Sequence, residues 1–423
     1  MGLFLGNKKT LQAWLFELEH RHVQEIQLDL SRVSLVGSDL ELLHWDCPII
    51  TVAGTNGKGS TVAALESLYV SAGYWVGSYT SPHLLTFHER IKYNRIPISD
   101  DDLCNAFAAI EAASLVSLTY FEVTTLAALW YFKSLSLDVL ILEVGMGGRL
   151  DATNALDADL AIITTIDLDH QAFLGETREA IGFEKAGIIR RGKPVLFADD
   201  NPPDSVVSQA KLLDAPLYRF NSDYSFEVTD ERLTVRISST KSLTVPKPAL
   251  HLKAAAAALV ATECLQFRLP VSLIAQQEAM QVVSIVGRQQ VVKGDTITVF
   301  DVAHNPQAVL ALADFIRAYK PKRRVHAVFS CLKDKDLCGL IKPMRELVAV
   351  WYPAVVSGVR AATASRLLDA YQVQQITVDL CYDDPRMAYE AALQNTVPGD
   401  LIVVYGSFLT VSAVIGLKGE EGV

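Results

Sequence analysis

The sequence predicts an α/β protein in two parts: an N-terminal P-loop-type domain (residues 1–286), a parallel sheet with a small antiparallel addition, and a C-terminal Rossmann-like α/β domain (287–423). Three observations carry this expectation. Continuous apolar runs alternate with helical patterns, as a parallel sheet covered on both faces requires. The first run turns into a helix through a glycine-rich segment, and the alternation lapses between about Asn201 and Pro248 before restarting at Gly287. At 423 residues the chain is also too long for one comfortable core.

Taken in order, an amphipathic opening precedes PIITVAG, a β-branched strand, and GKGSTVAALESLYVSAG, a helix with Gly73 as its stop. YWVGSYTSPHL, LDVLILEVGMGG and DLAIITTIDLDH read as strands whose ends carry Ser81, Glu143 and the Asp167, Asp169, His170 group; EVTTLAALWYFKSL reads as a helix. Short alternating stretches such as LTVRISST suggest the antiparallel addition, and the helix KAAAAALVATECL follows. From Gly287 the strands TITVFDVAHNP, RRVHAVFSCL, VAVWYP and DLIVVYGSF are separated by helices from about Gln307, after DKD and after Thr363. No fixed-period repeat interrupts this order.

Half of the residues are hydrophobic and a fifth charged, the balance of a globular protein, and the net charge of -10 repels nucleic acid and anionic membranes. Neither is an expected partner. The six cysteines form no C-x-x-C pair and sit mostly in apolar runs, so they read as thiols, not a zinc site. The N-terminus lacks a secretory pattern, charges break every long apolar run, and Gly6 stands where a myristoylation motif needs Ser or Thr. A cytoplasmic protein is expected.

The segment GTNGKGS, Gly54 to Ser60, carries the chemistry. Backbone N–H groups of a glycine turn that opens a helix converge on one spot, the helix dipole adds positive charge, and Lys58 can reach bound phosphates. Ser60 or Thr61 can offer a hydroxyl to Mg²⁺. An ordinary strand-to-helix turn with an exposed lysine is the plainer alternative. In open parallel sheets ligands collect beyond the carboxyl ends of strands. There Ser81, Glu143 and His170 are candidate ligands for divalent ions bridging ATP phosphates, against a simple capping role for His170.

GTNGKGS, TSPHL, TYFE, EVGMGGRLDATN, LDH, EKAGI, GRQ, DVAHNP and DKD occur in the order found in the bacterial folylpolyglutamate synthases. The chain resembles that family, especially its bifunctional dihydrofolate synthase type within the Mur ligase superfamily, from around Ile26 to GSF near the C-terminus. The resemblance implies that Asn56, Gly57, Lys58, Gly59 and Ser60 hold ATP, the co-substrate, and that Arg288, Asp301 and His304 help bind it. Magnesium ligands are then Ser60, Ser81, Glu143, His170 and Lys185, the last as a carbamate. Without the family, Lys185 would read as a surface lysine paired with Glu184. Lys58, Lys185 and His170 are the implied catalytic residues.

A dihydropteroate site is implied at Leu28, Asp29, Tyr120, Phe121, Glu122, Leu150, Asp151 and Ala152, with core packing as the rival role for Phe121 and the leucines. Two positions depart from the family pattern: Lys253 replaces the common Asn that contacts adenine, and Asp29 replaces a Gly seen in bifunctional relatives. Arg288, Asp334 and Asp336 read on their own as exposed linker or helix-start residues.

The implied reaction is ATP-dependent amide ligation: L-glutamate joins 7,8-dihydropteroate, or the glutamate tail of a reduced folate, through an acyl phosphate. Domain closure and a monomeric state are expected with it. The alternatives are a ligase acting on a UDP-linked muramyl precursor, a nucleotide-dependent switch without a pterin pocket, and a degenerate folate-binding paralogue.

Overall fold

In the first unit, the strand that leads into the glycine turn is the centre of the sheet. The computed structural model describes residues 9–21 and 27–419 and divides the chain into two units, Met1–Val283 and Ser284–Val423. The Met1-Gly2 terminus and Ile26, where the resemblance begins, lie outside the described residues.

The strands of the first sheet are β1 (Ile49–Ala53), β2 (Val76–Tyr79), β3 (Ile91–Tyr93), β4 (Ile96–Pro97), β5 (Val139–Glu143), β6 (Leu160–Ile163), β7 (Val195–Phe197) and β8 (Leu217–Arg219). Their order is β4-β3-β2-β5-β1-β6-β7-β8. From β2 to β8 the pairing is parallel, while β3 and β4 extend one edge as antiparallel strands. Every residue of β1 and β5 is buried, which explains their unbroken apolar sequence.

Alternate side chains serve opposite layers. Ile50, Val52 and Ile141 join the helices Lys58–Ser71, Leu252–Cys264 and Leu273–Val282, whereas Ile49, Leu140 and Leu142 join Asp100–Ala113 and Tyr120–Lys133. The alanines 254–258 are buried and let their helix lie close against the one that begins at Lys58.

The antiparallel addition is a three-stranded sheet of β9 (Ser225–Val228), β10 (Arg232–Arg236) and β11 (Ser242–Pro246). It begins later than the expected Asn201. Residues from Asp204 form a helix with Val206 and Ala210 buried four apart on one face, and β8 still pairs in parallel with β7. Turn residues around Pro202 and Pro203 mask this continuation of the parallel pattern.

The second unit carries β12 (Gln290–Val292), β13 (Ile297–Asp301), β14 (Val325–Phe329), β15 (Val348–Pro353) and β16 (Leu401–Tyr405) in the order β12-β13-β16-β14-β15. All pairs are parallel except the hairpin of β12 with β13. In-register pairing aligns Asp301, Tyr405 and Phe329 at the carboxyl ends. Among the described residues no helix is long and apolar enough to cross a membrane.

Candidate active site

Beyond Ala53 the chain bends through Gly54, at φ +152°, and Gly57, at φ +87°, into the helix that starts at Lys58. A Cβ on Gly54 would lie 1.8 Å from Thr164 Oγ1, so a side chain is impossible without moving the end of β6. The loop is tied to that strand end: Thr55 N–H donates to the Thr165 carbonyl (2.8 Å), Asn56 N–H to Thr165 Oγ1 (2.9 Å), and Thr164 Oγ1 to the Asn56 carbonyl (2.6 Å). Lys58 Nζ folds back onto the Gly54 carbonyl at 2.9 Å. Thr61 spends its hydroxyl on the Gly57 carbonyl (3.0 Å), which leaves Ser60 as the hydroxyl candidate.

The neighbouring strand end brings two predicted metal ligands together, because Glu143 Oε2 accepts the Ser81 N–H at 3.3 Å. His170 adopts a left-handed backbone (φ +51°) at the start of Gln171–Leu174, with a side chain 39% exposed and 4.0 Å from Asp169. Lys185 lies on the helix Arg178–Ala186 and is only 3% exposed. Burial, reinforced by the like charge of Lys58, pushes its amine down to about 7, while Asp169 and Asp151 pull the other way. Lys58, Asp151, Asp169 and Lys185 thus share one electrostatic neighbourhood.

This placement overturns the surface reading of Lys185. Glu184 pairs with Arg149 instead (2.8 Å), and Arg149 N–H donates to the Glu184 carbonyl at 2.7 Å. A Cβ on Gly148 would meet that same carbonyl at 2.8 Å, so the glycines of GMGGR let the loop press on the lysine's helix.

Among the described residues no three His, Cys, Asp or Glu side chains are grouped to hold a metal. The predicted set fits a hard cation in another way. It offers hydroxyl and carboxylate oxygens from Ser60, Ser81 and Glu143, and a buried lysine whose amine is pushed down to about 7, so that a substantial fraction is neutral near pH 7, the state from which a carbamate forms.

The predicted pterin positions meet through a residue that sequence reasoning missed. Arg32 Nη2 donates to Glu122 Oε1 (2.8 Å) and Arg32 Nη1 lies 3.5 Å from Asp29, so the Leu28–Asp29 and Tyr120–Glu122 segments are clamped together. Glu122 also caps its own helix by accepting the Thr119 N–H at 2.7 Å. Phe121 packs against Gly145, where a Cβ would be 2.5 Å from the ring, and Leu28 packs against a buried cluster. Asp151 is buried, with its oxygens accepting Thr153 N–H, Thr153 Oγ1 and Met146 N–H; desolvation raises its pKa. Ala152 is buried beside it and Leu150 is half-buried.

A second missed residue is Arg90, 8% exposed. Its Nε donates to His83 Nδ1 (2.9 Å) and its guanidinium lies over Phe87 and Tyr120, 5.2 and 5.4 Å from the ring centres. Burial and the Arg90 charge push His83 down to about 4, so the imidazole is neutral and accepts. Spacing alone carries no signal for either arginine; Arg32 became visible only once Glu122 was placed opposite it.

In the second unit the Arg288 guanidinium lies 5.6 Å and the His304 ring 6.0 Å from the Phe408 ring. Asp301 accepts the Gln289 and Ala303 N–H groups (3.0 and 2.8 Å). Burial raises it to about 6 although Arg288 opposes the shift. Of the DKD pair, Asp336 caps the helix Leu337–Ile341, as a helix-start residue. Lys253 is held by Asp199 (2.6 Å) and Asp200 (2.9 Å).

A glycine turn opening a helix on a parallel sheet, with carboxylate and hydroxyl at adjoining strand ends and a buried lysine on the helix Arg178–Ala186, is the arrangement of a Mur-type ligase. Residues 52–253 match the Mur ligase middle domain and residues 287–408 the Mur ligase glutamate ligase domain. The dihydrofolate synthase/folylpolyglutamate synthase of Escherichia coli (strain K12) is 40% identical over 96% of this chain and 94% of its own, and that of Haemophilus influenzae 37% over 95% and 96%. The structure of E. coli FolC in complex with DHPP and ADP superposes with a TM-score of 0.93 at 40% identity, covering 97% of this chain and 98% of that one. The Yersinia pestis bifunctional enzyme complexed with AMPPNP and Mn ion gives 0.91 at 41% over the same shares. The chain belongs to the dihydrofolate synthase/folylpolyglutamate synthase family and is an ATP-dependent ligase.

Proposed function

We propose that the chain joins L-glutamate to 7,8-dihydropteroate and to the glutamate tail of reduced folates through an acyl phosphate. The single observation that carries this reading is the clamp of Asp29, Arg32 and Glu122, which draws two of the three predicted pterin segments together in the unit that holds the phosphate loop. A carboxylate does not condense with an amine unaided. Its oxygen attacks the γ-phosphorus of ATP, ADP leaves, and the glutamate amine then displaces phosphate from the acyl carbon.

The N–H groups of the loop and Lys58 hold the phosphates and stabilise charge on the phosphoryl group in transit. Lys58 leaves the Gly54 carbonyl to do so. A bound Mg²⁺, for which Ser60, Ser81, Glu143, His170 and a carbamylated Lys185 are the proposed ligands, would neutralise developing negative charge. Leu28, Tyr120, Phe121 and the 150–152 segment orient the pterin, and positioning supplies the remaining rate enhancement. Arg288, Asp301 and His304 are proposed as nucleotide contacts. The six cysteines are free thiols, consistent with a reducing cytoplasmic setting, and a monomer is expected by light scattering.

The test incubates the protein with ATP, glutamate and either dihydropteroate, tetrahydrofolate or a UDP-muramyl acceptor, reading phosphate release and product mass. Amide products are expected with both pterin acceptors. Activity confined to the muramyl acceptor, or ATP hydrolysis indifferent to every acceptor, would overturn the reading.

A further inference from the structure

The amino-terminal ends of β14, β15 and β16 surround a cavity of about 700 Å³ lined by Arg323, Arg324 and Asp400 and by apolar Leu347, Ala349 and Val397. It lies at the far end of the sheet from Asp301. Pairing runs in register from Val325–Leu401 at this end to Phe329–Tyr405 at the other, a separation of about 13 Å along the strands. The cavity is therefore distinct from the Arg288, Asp301, His304 group.

Asp400 is satisfied from within the protein. It accepts the Val397 N–H (3.0 Å), the Arg324 N–H (3.2 Å) and His326 Nε2 (3.2 Å), and the buried His326 ring places its Nδ1 3.1 Å from the Tyr352 hydroxyl. The Arg324 guanidinium adds only one long contact to Asp400, at 3.4 Å, and its side chain is 52% exposed. Arg323 is exposed and makes no ion pair among the described residues. Both arginines are exposed and line the cavity with apolar Leu347, Ala349 and Val397, within a run in which Lys320, Lys322, Arg323 and Arg324 are basic although the chain carries a net charge of -10.

We propose that this cavity binds a small organic oxyanion: a phosphate or carboxylate gripped by Arg323 and Arg324, carried on an apolar body that rests on Leu347, Ala349 and Val397. Arginine forks match both oxyanions in geometry, and the volume is that of a small-molecule site and exceeds the needs of a bare ion.

The test titrates the full chain, saturated with ADP so that the phosphate loop is filled, with phenyl phosphate, benzoate, inorganic phosphate and phenol by calorimetry. Saturable binding of phenyl phosphate or benzoate is expected, and the tighter of the two assigns the oxyanion. An Arg323→Ala/Arg324→Ala variant should weaken it roughly tenfold or more with ADP affinity and melting temperature unchanged. Val397→Asp, which sets a carboxylate at the apolar floor, should weaken it independently. Absence of binding at millimolar concentration, phenol binding as well as the anions, inorganic phosphate binding as well as phenyl phosphate, or affinities untouched by both variants would each overturn the proposal.

Discussion

Desolvation shifts one ionisable group strongly in each unit, and the two are of opposite sign. Lys185 in the first unit is driven to about 7 from 10.5, whereas Asp301 in the second is driven to about 6 from 3.8. The physics is the same, since burial favours the neutral form of either group. The neighbours differ: Lys58 deepens the shift at Lys185, while Arg288 opposes the shift at Asp301. One unit holds an amine that is partly neutral near pH 7; the other restrains a carboxylate so that it stays mostly charged at neutral pH.

The comparison breaks most visibly at Lys185. Lys185→Ala should lower turnover by ~100- to 1,000-fold, the scale of losing one electrostatic contributor at a transition state, with ADP affinity retained and no rescue by bicarbonate. Full activity in the coupled phosphate assay would remove the residue from the site. Asp301→Asn should act on the other side with a smaller effect, roughly tenfold in kcat/KM for ATP. A loss as large as that of Lys185→Ala would show that the two units are not unequal in the chemistry.

Stability against pH sharpens the contrast further. Between pH 7 and 10.5 unfolded Lys185 keeps a proton that the folded amine has lost, so stability rises with pH across that window and the burial penalty is complete below it. Between pH 3.8 and 6 folded Asp301 holds a proton that the unfolded chain has lost, so stability falls as pH rises and the penalty is complete above it. Denaturant midpoints in CO₂-free buffer should lose the first slope in Lys185→Met and the second in Asp301→Asn. Unchanged difference curves would contradict the assigned shifts.

The smallest effect is expected at Lys253. Its amine is already held by Asp199 and Asp200. Lys253→Ala should cost about 1 kcal/mol of stability, as partly exposed ion pairs do, and leave the KM for ATP within about twofold. A large rise in that KM would give Lys253 a nucleotide contact after all.

Much of this molecule was legible along the chain. The apolar strands, the helix stop at Gly73 and the Gly54–Ser60 loop are local patterns, set by propensity, periodicity and the backbone freedom of glycine. The helix Asp204–Leu212 was not, because two prolines and polar residues carry a turn signal that β8 overrides by pairing with β7. The hairpin of β12 with β13 likewise rests on a partner strand.

What sequence alone determined is the order of most strands and helices and the glycine turn at Gly54–Ser60 that opens a helix, since these depend on neighbours within a few residues. Only the tertiary structure decided that Lys185 is buried beside Lys58, that Glu184 turns to Arg149, and that Arg32 meets Glu122 across 90 positions. Desolvation and charge pairing depend on distances through space, and a linear pattern does not carry those distances.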